Sequence, residues 1–162
     1  MKTLSFLSSM VLGASLLVAC GDGPGSVGCT EIGCSDQLDV VLGPIGNKFA
    51  SSLPLSISIC IDAKGCEAFV VEASGGMLQC RPDGGETLGS CSLDDKGNVT
   101  VSPGLGVGGK LAAGEHDVEM TVKGKDGMVL VTGSEKVTLK ETRPNGPDCE
   151  PVCLQGSVTF PP

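Results

Sequence analysis

The sequence predicts an all-β sandwich stapled by disulfides. Apolar residues recur with a period of two in the dominant local pattern, the signature of half-buried strands. Gly, Pro, Asp and Asn fall between these stretches at turn spacing. Nine cysteines in a chain that begins like an exported protein point to covalent cross-links.

The chain opens with "MKTLSFLSSMVLGASLLVA". Lys2 is a short positive start, and Leu4 to Val18 are apolar. That run is shorter than the roughly 20 residues a membrane helix needs, so residues 1–19 are expected to be a cleaved export signal. Leu17-Val18-Ala19-Cys20 resembles the lipobox of bacterial lipoproteins. The resemblance implies cleavage before Cys20, with a thioether-linked diacylglyceryl group on its sulfur, the nucleophile that such an alkylation needs. The other reading is an ordinary cleaved signal with Cys20 in a disulfide, which leaves the cysteine count uneven. Two or three acyl chains anchor far more firmly than one. The membrane through this lipid is therefore one expected partner. An Asp directly after the cysteine would resemble the inner-membrane retention signal of these lipoproteins; here Gly21 follows and Asp22 comes one place later, so the resemblance implies the outer membrane. Residues 20–28 form the lipidated cysteine and a Gly-rich tether, reaching about 16 Å on average.

Residues 29–162 suit a single domain with its own core. Strands are expected near 36–42, 53–61, 66–73, 77–81, 90–93, 98–102, 116–123, 128–133, 135–140 and 156–160. "LPLSISI" sets Leu53, Leu55, Ile57 and Ile59 on one face. "HDVEMTV" sets His116, Val118, Met120 and Val122 inward. Val137 with Leu139 and Val158 with Phe160 repeat the pattern. "DAKG" (62–65), "RPDGG" (81–85), "DDKGN" (94–98) and "GKDG" (124–127) supply the turns, through residues able to take positive φ. "PGLGVGGK" (103–110) follows a strand but precedes no helix, so it is a loop rather than a phosphate cradle. Phe49, Phe69 and Phe160 are expected in the core.

The stretch "LAAGEHDVEMTVKGKDGMVLVTGSEKVTL" resembles the last hairpin of immunoglobulin-like domains, the fibronectin type III group included. In those domains a Gly precedes an aromatic that opens the next-to-last strand. Here Gly114-x-His116 stands there, with His116 in the place of a corner tyrosine. The resemblance implies an antiparallel immunoglobulin-like sandwich.

Cys29, Cys34, Cys60, Cys66, Cys80, Cys91, Cys149 and Cys153 are expected to form four disulfides. Cys60 and Cys66 flank a turn, and Cys80 and Cys91 flank a loop. "CTEIGC" and "CEPVC" are expected to tie the chain ends together; the alternative is two local loops. The functional rival is a metal or haem site. The Cys-x4-Cys and Cys-x3-Cys spacings are not those of zinc pairs, and export favours oxidation of the thiols. No metal ligands and no cofactor beyond the lipid are expected.

His116 is the single histidine. Its inward position favours a packed ring donating to backbone over a catalytic base. Glu119 falls on the opposite face of the same strand. Asp94 and Asp95 lack the alternating acidic ligands of a calcium loop. Asp39, Asp62, Glu67, Glu72, Asp83, Glu86, Glu115, Asp117 and Glu119 are expected to be mostly solvated. The formal net charge of −8 makes nucleic acid and anionic lipid poor partners. The expected function is a non-enzymatic binding or structural module of the cell envelope, facing the periplasm or the surface, with an envelope or extracellular protein as partner. The alternatives are an accessory envelope enzyme and a cation-binding surface domain.

Overall fold

The computed structural model describes residues 29, 31–45, 49–84, 89–105 and 111–161. The export signal, Cys20 and the tether lie outside these residues.

Among the described residues nine strands form in chain order: β1 (Gln37–Leu42), β2 (Leu55–Ile61), β3 (Gly65–Ser74), β4 (Met77–Pro82), β5 (Ser90–Leu93), β6 (Val99–Ser102), β7 (Gly114–Lys123), β8 (Val129–Thr142) and β9 (Cys153–Phe160). A short 3-10 turn, Ala50–Ser52, precedes β2. Alternation is the cause of most of them. In β2 every second residue from Leu55 to Ile61 is buried. In β7 Val118, Met120 and Val122 are buried while Asp117 and Glu119 are exposed. Leu38, Ile57, Phe69, Val99, Met120, Leu139 and Phe160 meet in one core. Each fully buried large apolar side chain contributes about 1.5–3 kcal/mol. Phe49, Phe69 and Phe160 are all buried in it.

The strands follow one another in the order β4-β3-β2-β7-β8-β9-β1-β6-β5. The sheet curls until its end strands β4 and β5 lie side by side, so the architecture is nearly a barrel.

The strands are not all antiparallel, as the sequence led us to expect. β1 pairs with β9 in parallel, from Gln37 opposite Gln155 to Leu42 opposite Phe160. The disulfides give the reason. Cys29 is bonded to Cys149 and Cys34 to Cys153. Both bonds sit at the beginnings of β1 and β9, so the two strands leave one knot in the same direction.

Two expected strands, 128–133 and 135–140, are one. β8 runs unbroken through Gly133 and Ser134, pairing with β7 from Val129 to Leu139 and with β9 from Lys140 to Thr142. Gly133 sits inside the strand. A Cβ on it would lie 2.9 Å from Cδ1 of Phe160, so glycine lets β8 pass over that ring. The turn after β2 also differs from expectation. Asp62 and Ala63, not Gly65, take positive φ, at 51° and 53°. The Lys64 N–H closes the turn on the Ile61 carbonyl at 3.0 Å.

Candidate functional site

The single histidine sits where three segments converge. Asp62 is in the turn after β2, Ala112 lies before β7, and His116 is near the start of β7. Ile61 faces Val118 in the β2–β7 ladder, which brings Asp62 beside β7. The Asp62 N–H donates to the Asp117 carbonyl at 2.9 Å. The Asp117 N–H returns a bond to Oδ1 of Asp62 at 3.1 Å. Oδ2 of Asp62 then lies 2.8 Å from Nδ1 of His116, and Nε2 of the ring lies 2.8 Å from the Ala112 carbonyl oxygen.

A carbonyl and an ionised carboxylate accept hydrogen bonds and cannot donate them. Both ring nitrogens therefore act as donors when the ring is an imidazolium. The electrostatics agree. Donating to Asp62 raises the His116 pKa above its ordinary value of 6.5 against the opposing effect of burial. The bond from His116 lowers the Asp62 pKa below 3.8. As expected, the ring bonds backbone; its bond to a carboxylate 54 residues away in sequence was not foreseen. Because both nitrogens are engaged, neither is free to take a proton from a substrate in this conformation.

Glu67 departs from expectation. Of the carboxylates expected to be solvated, it is buried, with 4% of its surface exposed. It shares the inner face of β3 with Phe69 and Val71. Oε2 accepts the Gly104 N–H at 3.1 Å, and among the described residues Oε1 has no hydrogen-bond partner. Gly89 is packed against this group: a Cβ there would lie 2.4 Å from Oε2 and 2.8 Å from the Phe69 ring. Asp39 is also less exposed than expected, taking a bond from the Ser102 hydroxyl at 2.7 Å. Asp94 folds its own turn, accepting the Lys96 and Asn98 N–H groups at 2.9 and 2.8 Å. Among the described residues, no group of three or more His, Cys, Asp or Glu is arranged to hold a metal ion.

The eight cysteines are joined as Cys29–Cys149, Cys34–Cys153, Cys60–Cys66 and Cys80–Cys91. Asn145, buried beside the first two bridges, strengthens the tie between the chain ends. It accepts the Ile32 N–H at 2.9 Å and donates to the Ile32 carbonyl at 3.0 Å and to the Glu150 carbonyl. Next to this clamp lies a cleft of about 450 Å³, lined by Asp36, Leu111, Ala112, Glu141, Val152 and Leu154. Its size falls in the usual range for ligand sites, and its lining combines apolar residues with the carboxylate-bearing Asp36 and Glu141. Ala112 belongs both to this cleft and to the His116 corner. Sequence reasoning gave no sign of the cleft, because its walls come from segments far apart in the chain.

No protein-family model, no curated protein and no solved structure matches the chain.

Proposed function

We propose that the protein is a bacterial envelope lipoprotein, anchored through lipid on Cys20, whose domain is a non-enzymatic binding or structural module. The observation that carries this reading is the cysteine arithmetic. The chain has nine cysteines, and the eight from Cys29 to Cys153 pair among themselves. One cysteine is left over, and it is the one that ends the lipobox-like Leu17-Val18-Ala19-Cys20. Four disulfides fit an exported chain. The β7–β8 hairpin with Gly114 and His116 supports kinship with immunoglobulin-like modules, which hold partners on rigid strands and loops. The cleft beside the clamp is the place for a partner on this reading. The commitment of both His116 nitrogens supports a binding role over a hydrolytic one. Outer-membrane residence is the expected destination.

Metabolic labelling with radioactive palmitate tests the anchor. The parent takes up label and partitions with membranes, and Cys20→Ala does neither. Label retained by Cys20→Ala overturns the reading.

A further inference from the structure

The seam between β4 and β5 differs from every other junction in the sheet. Each neighbouring pair in the order β4-β3-β2-β7-β8-β9-β1-β6-β5 is joined by a hydrogen-bonded ladder. β4 and β5 lie at its two ends. Among the described residues no backbone hydrogen bond joins them.

The register says which groups face the seam. The Asp83 N–H bonds the Ala68 carbonyl at 2.8 Å. Bonded pairs alternate along an antiparallel ladder, so Arg81 and Gln79 turn their backbone groups toward β3. Leu78 and Cys80 turn theirs toward β5. On the other side the Asp94 N–H bonds the Asn98 carbonyl at 3.0 Å. Ser92 therefore bonds β6, and Cys91 and Leu93 face β4. Two strand edges confront each other without a ladder, and the Cys80–Cys91 bond crosses between them at a Cα separation of 5.5 Å. The other disulfides lie where a ladder already holds the chain. Cys60 is directly opposite Cys66 in the β2–β3 ladder, and the two bonds at the chain ends back the β1–β9 pairing.

Behind the seam lies a group that favours opening. Glu67 points inward from β3, with no partner for Oε1 among the described residues, and Gly89, just before β5, packs against its other oxygen, Oε2. A buried carboxylate oxygen without a partner is costly. That cost is relieved once water reaches it.

We propose that Cys80–Cys91 is a redox latch, which keeps the sheet curled shut over Glu67 and on reduction lets β4 and β5 part. The reductant is a dithiol. One of its thiolates attacks Cys80 or Cys91 sulfur, breaks the S–S bond and forms a mixed disulfide. Its second thiol then attacks the reductant's sulfur in that mixed disulfide and displaces the protein cysteine still bound there. The dithiol ends as a disulfide, and two electrons and two protons end on Cys80 and Cys91. The parted seam opens Glu67 to water and leaves β4 held by β3 alone and β5 by β6 alone, so that both edge strands fray from those ladders.

Hydrogen exchange on the full-length protein tests the latch, read at the Gln79, Arg81 and Ser92 amides, with Cys80→Ser/Cys91→Ser standing for the reduced state. The expected result is exchange at least tenfold faster at these amides in that double variant. In Cys60→Ser/Cys66→Ser they stay as in the parent. Adding Glu67→Gln to the first variant restores part of the lost protection. Unchanged exchange in Cys80→Ser/Cys91→Ser, or equal loss in both double variants, overturns the proposal. Should Cys80→Ser/Cys91→Ser not fold, Glu67→Gln in the disulfide-bonded protein decides. A higher melting temperature than the parent supports the loaded seam, and an equal or lower one overturns it.

Discussion

His116 and Asp62, 54 residues apart in sequence, are joined at 2.8 Å between Nδ1 and Oδ2, and the far side of the ring is fixed on the Ala112 carbonyl. The pair ties the turn after β2 to the start of β7. Its effect on stability has a defined pH window. The raised His116 pKa makes its contribution complete below the ordinary value of 6.5 and lost as pH rises through the raised value. The lowered Asp62 pKa makes its contribution complete above 3.8 and lost as pH falls through the lowered value. The plateau lies between. We expect the melting temperature to fall above pH 6.5 in the parent and to lose that fall in His116→Gln. His116→Ala gives up both ring bonds, to Asp62 and to the Ala112 carbonyl, together with the packing of the ring, and melts lowest. His116→Tyr lies between, because one hydroxyl serves one of two acceptors. Thermal unfolding across pH checks this; identical profiles for parent and His116→Gln count against the pair.

Gly133 is expected to resist substitution. Alanine in place of a strand glycine normally helps, by about 0.4–1 kcal/mol through the unfolded chain. Here its Cβ would lie 2.9 and 3.1 Å from two atoms of the Phe160 ring. Crowding of that kind costs about 1–3 kcal/mol. Gly133→Ala should therefore melt below the parent. Gly33→Ala, with nothing within 4 Å of its Cβ, should not. Equal melting of Gly133→Ala and Gly33→Ala would show that the ring moves aside freely.

Asn145 clamps the start of the domain to its end. Its amide serves both backbone groups of Ile32 and the Glu150 carbonyl. Asn145→Ala strands these partly buried groups, at about 1–3 kcal/mol for an unsatisfied one. Asn145→Asp keeps the acceptor for the Ile32 N–H but turns oxygens toward two carbonyls, so it should be no better. With the Cys29–Cys149 and Cys34–Cys153 bonds intact, faster exchange of the Ile32 amide is the local readout. Protection of Ile32 unchanged in both variants would mean the disulfides alone hold the segment.

Much of the fold was legible because burial alternates with sequence parity. "LPLSISI" and "HDVEMTV" needed no distant information to be read as strands. What was not legible depends on packing between distant segments. Ser134 reads as a break between strands at 128–133 and 135–140, although one ladder with β7 runs through it. The parallel β1–β9 pair follows from which cysteines bond, which sequence leaves open. Glu67 is instructive in another way. It shares its parity with Phe69 and Val71, so the pattern placed it inside; residue type alone suggested solvent. The partnership of Asp62 with His116 and the cleft behind Ala112 carry no local signature at all.

The two bonds that gather the ends of the domain also turn the polypeptide into a ring. From Cys29 round to Cys149 the chain is covalently closed, and Cys34–Cys153 closes it a second time. A protease that cuts once anywhere between Cys34 and Cys149 releases nothing. Both pieces stay attached, on the same molecule and at the same distance from whatever holds residue 29. The nicked protein then refolds as a circularly permuted chain would, with new ends at the cut and its old ends fused.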